Sequence, residues 1–598
     1  MKTQRLIVLA TAVLGGGIAF AQPGRGGSQW LTALGDAQRT SWIRTDDKIS
    51  VASLSKPGFD LQWKVKLDNQ PRGRTGLVQG VTANGVTLFV PMSIVSGSSN
   101  KVYGIDNDLG YVVWQRDFDA VMPPATAACP GGITSAATRI VRLEAPPAAA
   151  GRGFGGGGRG AGYRSLLGEP GEGVPVEGRA GGGGRAAAPA AGAGAPAGAR
   201  GAPPAGVEQG AARGAAPPAA RGGQPVDRIP GSPRQEEGSS AFGFLFRPSG
   251  VAYVVSSDGM LHVVGLPSGK DIQRPAPFLP ANARWSAPIA VDTTLYAATT
   301  GNCGGAPNGV WAIDLDSEAK PVVSWKTNGG GVVGAIAFTA DGTLLAAVGP
   351  GQTTGDGQAN AIVALDAKTL QVKDWYTDPS AEFVTGPTVI RQNTKDVVAA
   401  ATKDGRVLLL DAASLGGPNH ATPLSASKPI LGAGATIGAD ALAAWQQSGG
   451  GSWILVPVAG RPSTDGGGAN GAVSSGAVVA LKIADAGGTP TVEPGWVSHD
   501  LASPSTPVIV NGVVFTLGTG AASTPAGRGT AAVLHAYDGA TGKRVWNSGK
   551  AMSSAASPGS MWSGLGQIYV GMRDGTLHAF GFEDERRAIT ATAPQGGK

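Results

Sequence analysis

The segment Leu534-His535-Ala536-Tyr537-Asp538, followed by Gly539-Ala540-Thr541-Gly542-Lys543-Arg544-Val545-Trp546, decides the fold of this chain. A short apolar run ends in Asp, a polar turn containing Gly follows, and a second run closes on Trp. Apolar runs bounded by turn residues are typical of paired β-strands. The segment therefore predicts two neighbouring strands of one antiparallel sheet.

The same pattern recurs along the chain, which indicates a repeat fold. The eight copies are Tyr103–Asp106, His262–Gly265, Trp311–Asp314, Val363–Asp366, Leu408–Asp411, Val479–Lys482, His535–Asp538 and His578–Gly581. The third and fourth copies lie 52 residues apart, and the last two lie 43 apart. Propeller blades are about 40 to 50 residues long, so these spacings fit one blade per copy.

Turn signals around each copy supply the other strands of a blade. Asn511-Gly512 separates two β-branched runs, which is a strong hairpin signal. Asp574-Gly575 precedes the aligned strand of its copy, and Trp546 closes the strand after another. Four antiparallel strands per copy predict an all-β fold, an eight-bladed β-propeller of four-stranded antiparallel blades.

The two ends of the repeat array predict how the ring closes. The last copy stops after its third strand, near Phe582. The segment Phe59–Val65, which contains Trp63, has no strands of its own blade before it. Because closure removes free sheet edges, we expect this N-terminal strand to complete the eighth blade.

Composition divides the rest of the chain. Residues 1–21 have the charged, apolar and Ala-x-Ala parts of a secretory signal peptide, in that order. Residues 22–58 are a lead-in segment, and the propeller is expected over 59–144 and 240–582. Residues 145–239 are rich in Ala, Gly, Pro and Arg and predict a disordered insertion in blade two. Residues 583–598 predict a disordered tail.

Charge and hydropathy bear on partners and compartment. A net charge of +6 over 598 residues is small and does not by itself suggest nucleic acid. The eight Arg between Arg152 and Arg221 could contact an anionic surface or RNA, but they are spread out and no aromatic residues alternate with them, which favours a solvated linker. Beyond the signal peptide, no apolar run reaches the length of about 18 residues that suggests a membrane span. We therefore expect a soluble, monomeric protein of the periplasm or the extracellular space that does not bind nucleic acid.

The stretch from Pro507 to Trp546 resembles the PQQ-like repeat family of eight-bladed β-propellers, where PQQ is pyrroloquinoline quinone. Trp30 to Thr40 also resembles the lead-in segment of exported members. The resemblance covers about residues 30 to 582 apart from the insertion. It implies the fold. It leaves the activity open, because the family contains both quinoprotein dehydrogenases and propellers without catalysis.

For a dehydrogenase, the resemblance implies PQQ stacked between a Trp and a vicinal disulfide, with Ca²⁺ bound nearby. This sequence has no adjacent cysteines and no C-x-x-C-H haem motif. The candidates for cofactor binding are Trp285, Arg284, Trp445 and Trp562, which are expected near the starts of first strands. No catalytic residue and no metal ligand is assigned.

The two cysteines are expected to pair. Cys129 precedes the first strand of blade two, and Cys303 lies between the second and third strands of blade three. In a propeller these two connections open on the same face, and the two blades are neighbours. An exported protein can keep such a disulfide, so the topology predicts a Cys129–Cys303 bridge.

The repeated His and Asp side chains favour structural roles. His262, His535 and His578 share one repeat position with Tyr103 and Trp311, which indicates packing between blades more than a metal site. The Asp residues stand where strands turn, where the side chain can accept hydrogen bonds from backbone amides two residues on. They are Asp106, Asp314, Asp366, Asp411 and Asp538.

Three functions follow as hypotheses. The first is a non-catalytic binding or scaffold platform in the cell envelope, with a protein or glycan as partner. The alternative is an atypical PQQ-dependent dehydrogenase that oxidises alcohols or sugars and needs PQQ with Ca²⁺. The third is a polysaccharide-binding module that uses exposed Trp side chains.

Overall fold

The computed structural model describes residues 29–87, 90–143, 250–327, 329–351, 358–378, 382–447, 450–463, 467–521 and 529–583. Within them the chain is nearly all β and forms an eight-bladed β-propeller, which confirms the predicted fold class. The predicted signal peptide, the insertion predicted at 145–239 and the predicted tail beyond residue 583 lie outside the described residues. No helix in the described part of the chain is long and apolar enough to cross a membrane.

Each blade is an antiparallel sheet whose first strand lies nearest the axis of the ring. Blade one is Val81–Thr87, Val90–Gly97, Lys101–Asp106 and Val112–Asp117. Blade two is a bridge at Thr138, then Val251–Val255, Met260–Gly265 and Ala276–Pro277. Blade three is Ile289–Val291, Thr294–Thr299, Gly309–Asp314 and Val322–Lys326. Blade four is Val332–Phe338, Leu344–Val348, Ala361–Leu365 and Val372–Thr377.

The second half of the ring follows the same plan. Blade five is Thr388–Gln392, Lys395–Ala401, Val407–Asp411 and Ser425–Ala426. Blade six is Ala443–Gln446, Ser452–Ala459, Gly476–Ala486 and Thr489–Val497, with Thr436–Ile437 and Gly467–Ala469 added to it. Blade seven is Val508–Val510, Val513–Gly518, Val533–Asp538 and Arg544–Asn547. Blade eight is Ala556–Gly564, Gln567–Met572, Thr576–Gly581 and the N-terminal strand Asp60–Lys66.

The remaining elements are short. The four-residue helix Val51–Leu54 begins at the N-cap Ser50, and the 3₁₀ turns are Cys303–Gly305 and Gly417–Asn419. Two strands add in parallel to first strands, Trp42–Ile43 to blade seven and Ile140–Val141 to blade three. After the bridge at Thr138, the chain therefore leaves blade two and pairs with blade three through Ile140–Val141, before residue 144.

All eight aligned segments form third strands, and the turn role predicted for the repeated Asp residues is confirmed. Each accepts a hydrogen bond from the backbone N–H two residues on, at 2.8 to 3.0 Å. These residues are Asp106, Asp314, Asp366, Asp411 and Asp538. Their carboxylates therefore hold the connections to the fourth strands.

The predicted ring closure is confirmed. Asp60–Lys66 pairs antiparallel with Thr576–Gly581, with Trp63 opposite Ala579. The Trp63 indole Nε1 donates to the carbonyl of Asn107 in blade one at 2.7 Å. Its ring packs on Gly110, where a Cβ would lie 2.6 Å from it. The indole therefore joins the last blade to the first.

We call the face where the chain enters each first strand the front face, and the opposite face the back face. The channel between the first strands is occupied by residues Trp30 to Asp46, which we call the belt. Belt carbonyls accept backbone N–H groups at 2.7 to 2.9 Å. The donors come from blades one, two, four, five, six and seven: Thr82, Arg139, Phe338, Val389, Ala444 and Ile509. The belt therefore crosses the inner strands in blade order.

Arg39 is the polar centre of the belt. Its side chain, on a residue only 1% exposed, donates to the carbonyls of Ile336 at 2.7 Å, Ala33 at 2.5 Å and Ala287 at 3.0 Å. It also donates to Thr32 Oγ1 at 3.1 Å. Burial lowers the pKa of Arg39 to about 10, so the guanidinium stays charged at neutral pH. One side chain thus joins the belt to blades three and four.

Candidate functional site

The front face carries the predicted disulfide. Cys129 and Cys303 are bonded, with their Cα atoms 5.5 Å apart, which confirms the pairing. Cys129 lies in a long loop between blades one and two, and Cys303 lies in a turn of blade three. The carbonyl of Ala128 also accepts a hydrogen bond from Arg284 Nη1 at 3.2 Å. The bridge therefore fixes loops of adjacent blades beside a predicted site residue.

A carboxylate and a guanidinium lie at the front mouth of the channel. Asp440 precedes the first strand of blade six, and Arg284 precedes that of blade three. Surrounding protein raises the pKa of Asp440 by desolvation, and Arg284 acts against this rise. The Asp440 side chain still reaches solvent. A solvent-accessible carboxylate with a raised pKa can take up and release a proton.

The backbone at Asp440 lies close to the backbones of blades four and five. Its carbonyl accepts the N–H of Gly386 in blade five at 2.9 Å. Gly334 in blade four has φ +61°, and a Cβ there would lie 2.3 Å from the Asp440 carbonyl oxygen. Blades four, five and six therefore meet at this point. Sequence reasoning missed Asp440 because a single Asp between Ala residues matches no motif.

The predicted stacking residues are buried in blade packing. Trp285 is 3% exposed and bridges to Thr299, and Thr134 Oγ1 donates to its carbonyl at 3.1 Å. Trp562 is 0% exposed and stacks on Tyr569, with ring centroids 5.3 Å apart. Trp445 is 5% exposed. Cofactor binding by these residues stays a prediction.

These tryptophans also stand apart from one another. They belong to three different blades, and no ring contact joins any two of them within the described residues. Trp445 pairs across its strands with Trp453, and its ring edge packs on Gly512 and Gly539 of blade seven. Arg284, by contrast, is exposed at the front mouth. Arg284 interacts electrostatically with Asp440, whereas the three indoles lie in blade interiors.

A buried polar chain joins blades one and two. Ser256 Oγ lies 3.0 Å from His262 Nε2, and His262 Nδ1 lies 3.2 Å from Asp271 Oδ2. Arg116 of blade one forms an ion pair with Asp271. Burial lowers the pKa of His262, and Asp271 opposes this. The order Ser–His–Asp is that of a nucleophile relay, but Ser256 is 0% exposed and its hydroxyl also contacts Asp258. The chain is therefore an inter-blade link.

The described residues do not fit PQQ with Ca²⁺ as the resemblance implies it. No three His, Cys, Asp or Glu side chains of the described part of the chain converge as a metal-binding group. The disulfide joins cysteines 174 positions apart, so it cannot form the small ring of a vicinal pair. We therefore derive no reaction step through this cofactor.

Comparison with known proteins gives the fold and no family. No protein-family model matches the chain, and no curated protein does. The quinohemoprotein alcohol dehydrogenase of Comamonas testosteroni is 13% identical, covering 93% of this chain and 81% of its own, with a TM-score of 0.50. A europium-containing methanol dehydrogenase is 12% identical, covering 94% and 99%, with a TM-score of 0.52. BamB of Moraxella catarrhalis is 11% identical, covering 88% and 100%, with a TM-score of 0.42. At these identities the likeness concerns the propeller fold alone.

Proposed function

We propose that this protein is an exported propeller of the PQQ-like repeat kind that serves as a non-catalytic binding platform in the cell envelope. An envelope protein or a glycan is the expected partner. The observation that carries the proposal is the belt, because the chain occupies the channel of its own ring. Binding is then left to the faces, where loops vary from blade to blade.

The front face supports this role. The loop of residues 118–137 joins blades one and two and is tied down at Cys129 by the disulfide. Val121 in this loop is 92% exposed and lies eight residues before the point that the disulfide fixes. Loops that a rigid scaffold holds in place commonly carry binding residues. The disulfide also agrees with an oxidising compartment outside the cytoplasm.

Site-specific photo-crosslinking in cells tests the platform. A crosslinking amino acid at Val121 probes the front face, and one at Lys368, in a turn of blade four, probes the back face. We expect a single adduct from position 121 that excess unlabelled protein competes away. The same adducts from both positions, or adducts that resist competition, would contradict a specific front-face partner.

The dehydrogenase alternative has one observation in its favour, the carboxylate of Asp440, whose pKa is raised by desolvation. A carboxylate of raised pKa is a candidate general base. Incubation of the mature protein with PQQ and Ca²⁺ tests it through quinone absorbance and dye reduction with alcohols or aldoses. Turnover that Asp440→Asn abolishes would overturn the non-catalytic proposal, and absence of bound quinone would exclude the alternative.

A further inference from the structure

The outer rim of the propeller carries most of its exposed apolar side chains. Six large apolar residues in the described part of the chain are exposed, and five of them lie at the outermost strands of two blades. Tyr111, Val112 and Val113 are 64%, 41% and 48% exposed where the fourth strand of blade one begins. Val322 and Val323 are 37% and 39% exposed on the fourth strand of blade three. These two rims therefore differ from the rest of the surface.

The fourth strand of blade one has an open edge. Val112–Asp117 pairs with Lys101–Asp106 on one side, and no other described strand pairs with it. The N–H of Phe118 donates to the carbonyl of Asn100 at 3.0 Å, and antiparallel pairs alternate, so the backbone of Gln115 points away from the blade. Backbone groups that point outward beside apolar side chains can accept an added strand.

The rim of blade one is the less protected of the two. Lys and Pro are common on exposed edges because they disfavour pairing with another chain. The fourth strand of blade three is preceded by Pro321 and ends at Lys326, and that of blade four contains Lys373. The run Tyr111–Val113 contains no charged residue and no proline. Blade one is therefore better suited than blade three to pairing with another strand.

Blade six shows that a fourth strand of this fold can accept a further strand on its outer edge. Gly467–Ala469 pairs in parallel with Thr489–Val497, with Gly468 opposite Trp496. Trp496 occupies the same repeat position in blade six as Trp114 in blade one, opposite the second residue of the aligned third-strand segment. The outer edge at this Trp position is therefore compatible with a fifth strand.

The other end of the same edge is acidic. The side chains of Asp117 and Asp68 are 52% and 67% exposed, and the Lys101 ammonium pairs with both, at 3.4 and 2.5 Å. Asp119 adds a further exposed carboxylate. Arg116, the cation within the strand, is neutralised by its ion pair with blade two. Carboxylates therefore outnumber cations at this end, which favours a basic partner.

We propose that the outer strand of blade one binds an extended segment of a partner protein, which pairs with it as a fifth strand. The segment carries β-branched or aromatic side chains at the end that contacts Tyr111, Val112 and Val113. It carries Lys or Arg at the end that contacts Asp117 and Asp119. Main-chain hydrogen bonds give affinity in this mode, and side chains give specificity. The site lies on the rim and does not depend on the proposed front-face platform.

Short dye-labelled peptides of alternating Val and Thr test this proposal by fluorescence anisotropy with the mature protein. Lys residues stand at the N-terminal end of one peptide and at the C-terminal end of the other, so that both strand directions are tried. We expect saturable binding of one of them. No saturable binding of either peptide would overturn the proposal.

Backbone N-methylation separates strand pairing from simple attraction between charges. Two versions of the bound peptide carry N-methyl groups on alternate residues, and only one set of nitrogens faces the blade in a paired strand. We expect one version to bind as the parent peptide does and the other at least about tenfold more weakly. Equal binding of the two versions would overturn the proposal.

Variants locate the site. Val112→Lys places a charge on the edge and should weaken peptide binding at least about tenfold. Val323→Lys is the matched control and should bind as the wild type does. Both valines lie two residues before the Trp of their strand, and they are 41% and 39% exposed. Wild-type binding by Val112→Lys, or an equal loss in Val323→Lys, would refute the placement.

Two other occupants of the edge would be detected in related experiments. Concentration-dependent dimers in analytical ultracentrifugation that Val112→Lys abolishes would assign the edge to a second copy of this chain. Peptide binding that appears only after truncation at residue 583 would assign it to the C-terminal residues of the chain itself. Either result would overturn the assignment to a partner protein.

Discussion

Replacement of Arg39 by Met should destabilise the whole ring, because this side chain is the only described one that donates to belt, blade three and blade four together. Met retains much of the volume but carries no donor. The change leaves the carbonyls of Ile336, Ala33 and Ala287 without the guanidinium that reaches them at 2.5 to 3.0 Å.

The magnitude follows from those lost donors. A buried polar group left unsatisfied costs about 1–3 kcal/mol, and three carbonyls are affected at once. Relief from burying a cation offsets part of this loss, since burial lowers the pKa of Arg39 to about 10. We expect the free energy of unfolding to fall by roughly 3–5 kcal/mol.

Urea unfolding followed by tryptophan fluorescence measures this loss. Lys56→Ala, at an exposed position of the same N-terminal segment, is the control and should change stability by less than about 0.5 kcal/mol. Limited proteolysis should show earlier cleavage near the belt in Arg39→Met. A variant that unfolds at the wild-type urea concentration would refute the view of Arg39 as the centre of the belt.

Further predictions concern the ring, the bridge and pH. Trp63→Phe removes the hydrogen bond to the Asn107 carbonyl and should lower the free energy of unfolding in urea by about 1–3 kcal/mol. An unchanged urea midpoint would contradict the view that Trp63 joins the last blade to the first. Replacing Cys129 and Cys303 by Ser removes a cross-link between residues 174 positions apart and should lower the free energy of unfolding by up to about 5 kcal/mol through chain entropy. The urea midpoint of this variant should be lower than that of the wild type, and a reductant should not lower it further. Burial lowers the pKa of His578 from 6.5 to about 4, so its contribution to stability is full above pH 6.5 and is lost as pH falls to 4. In His578→Gln, the free energy of unfolding should therefore fall less between pH 6.5 and pH 4 than in the wild type. A variant whose stability depends on pH as the wild type does would contradict this role of His578.

The fold was predictable because its information is local and repeated. The Asn511-Gly512 turn has φ of +46° and +79°, the left-handed geometry that such a pair adopts in a tight hairpin. Strands, turns and Trp positions recur with each blade, so each copy supports the others. The strand that closes the ring could be inferred because the last copy lacked one.

The candidate site was less predictable, for two physical reasons. First strands are covered on both sides by neighbouring blades, so side-chain alternation no longer tells a buried face from an open one. Trp562 and Trp445 could be placed on such strands, but their burial could not be foreseen. The path of the belt depends on contacts such as Ser41 with Ile509, far apart in sequence, which leave no local pattern. Arg39 could not be predicted for this reason, and Asp440 could not because a single Asp between Ala residues matches no motif.

The pairing of Trp63 with Ala579 has a consequence for the order of folding events. Contacts between such distant residues form late, because the intervening chain must first lose its conformational freedom. The strand Asp60–Lys66 has no partner until Thr576–Gly581 has been made, and the belt has no channel until the inner strands surround it. During synthesis the N-terminal segment must therefore wait, with its apolar side chains open to misassociation. A chaperone that holds this segment until the C-terminal strands emerge would raise the yield of folded protein.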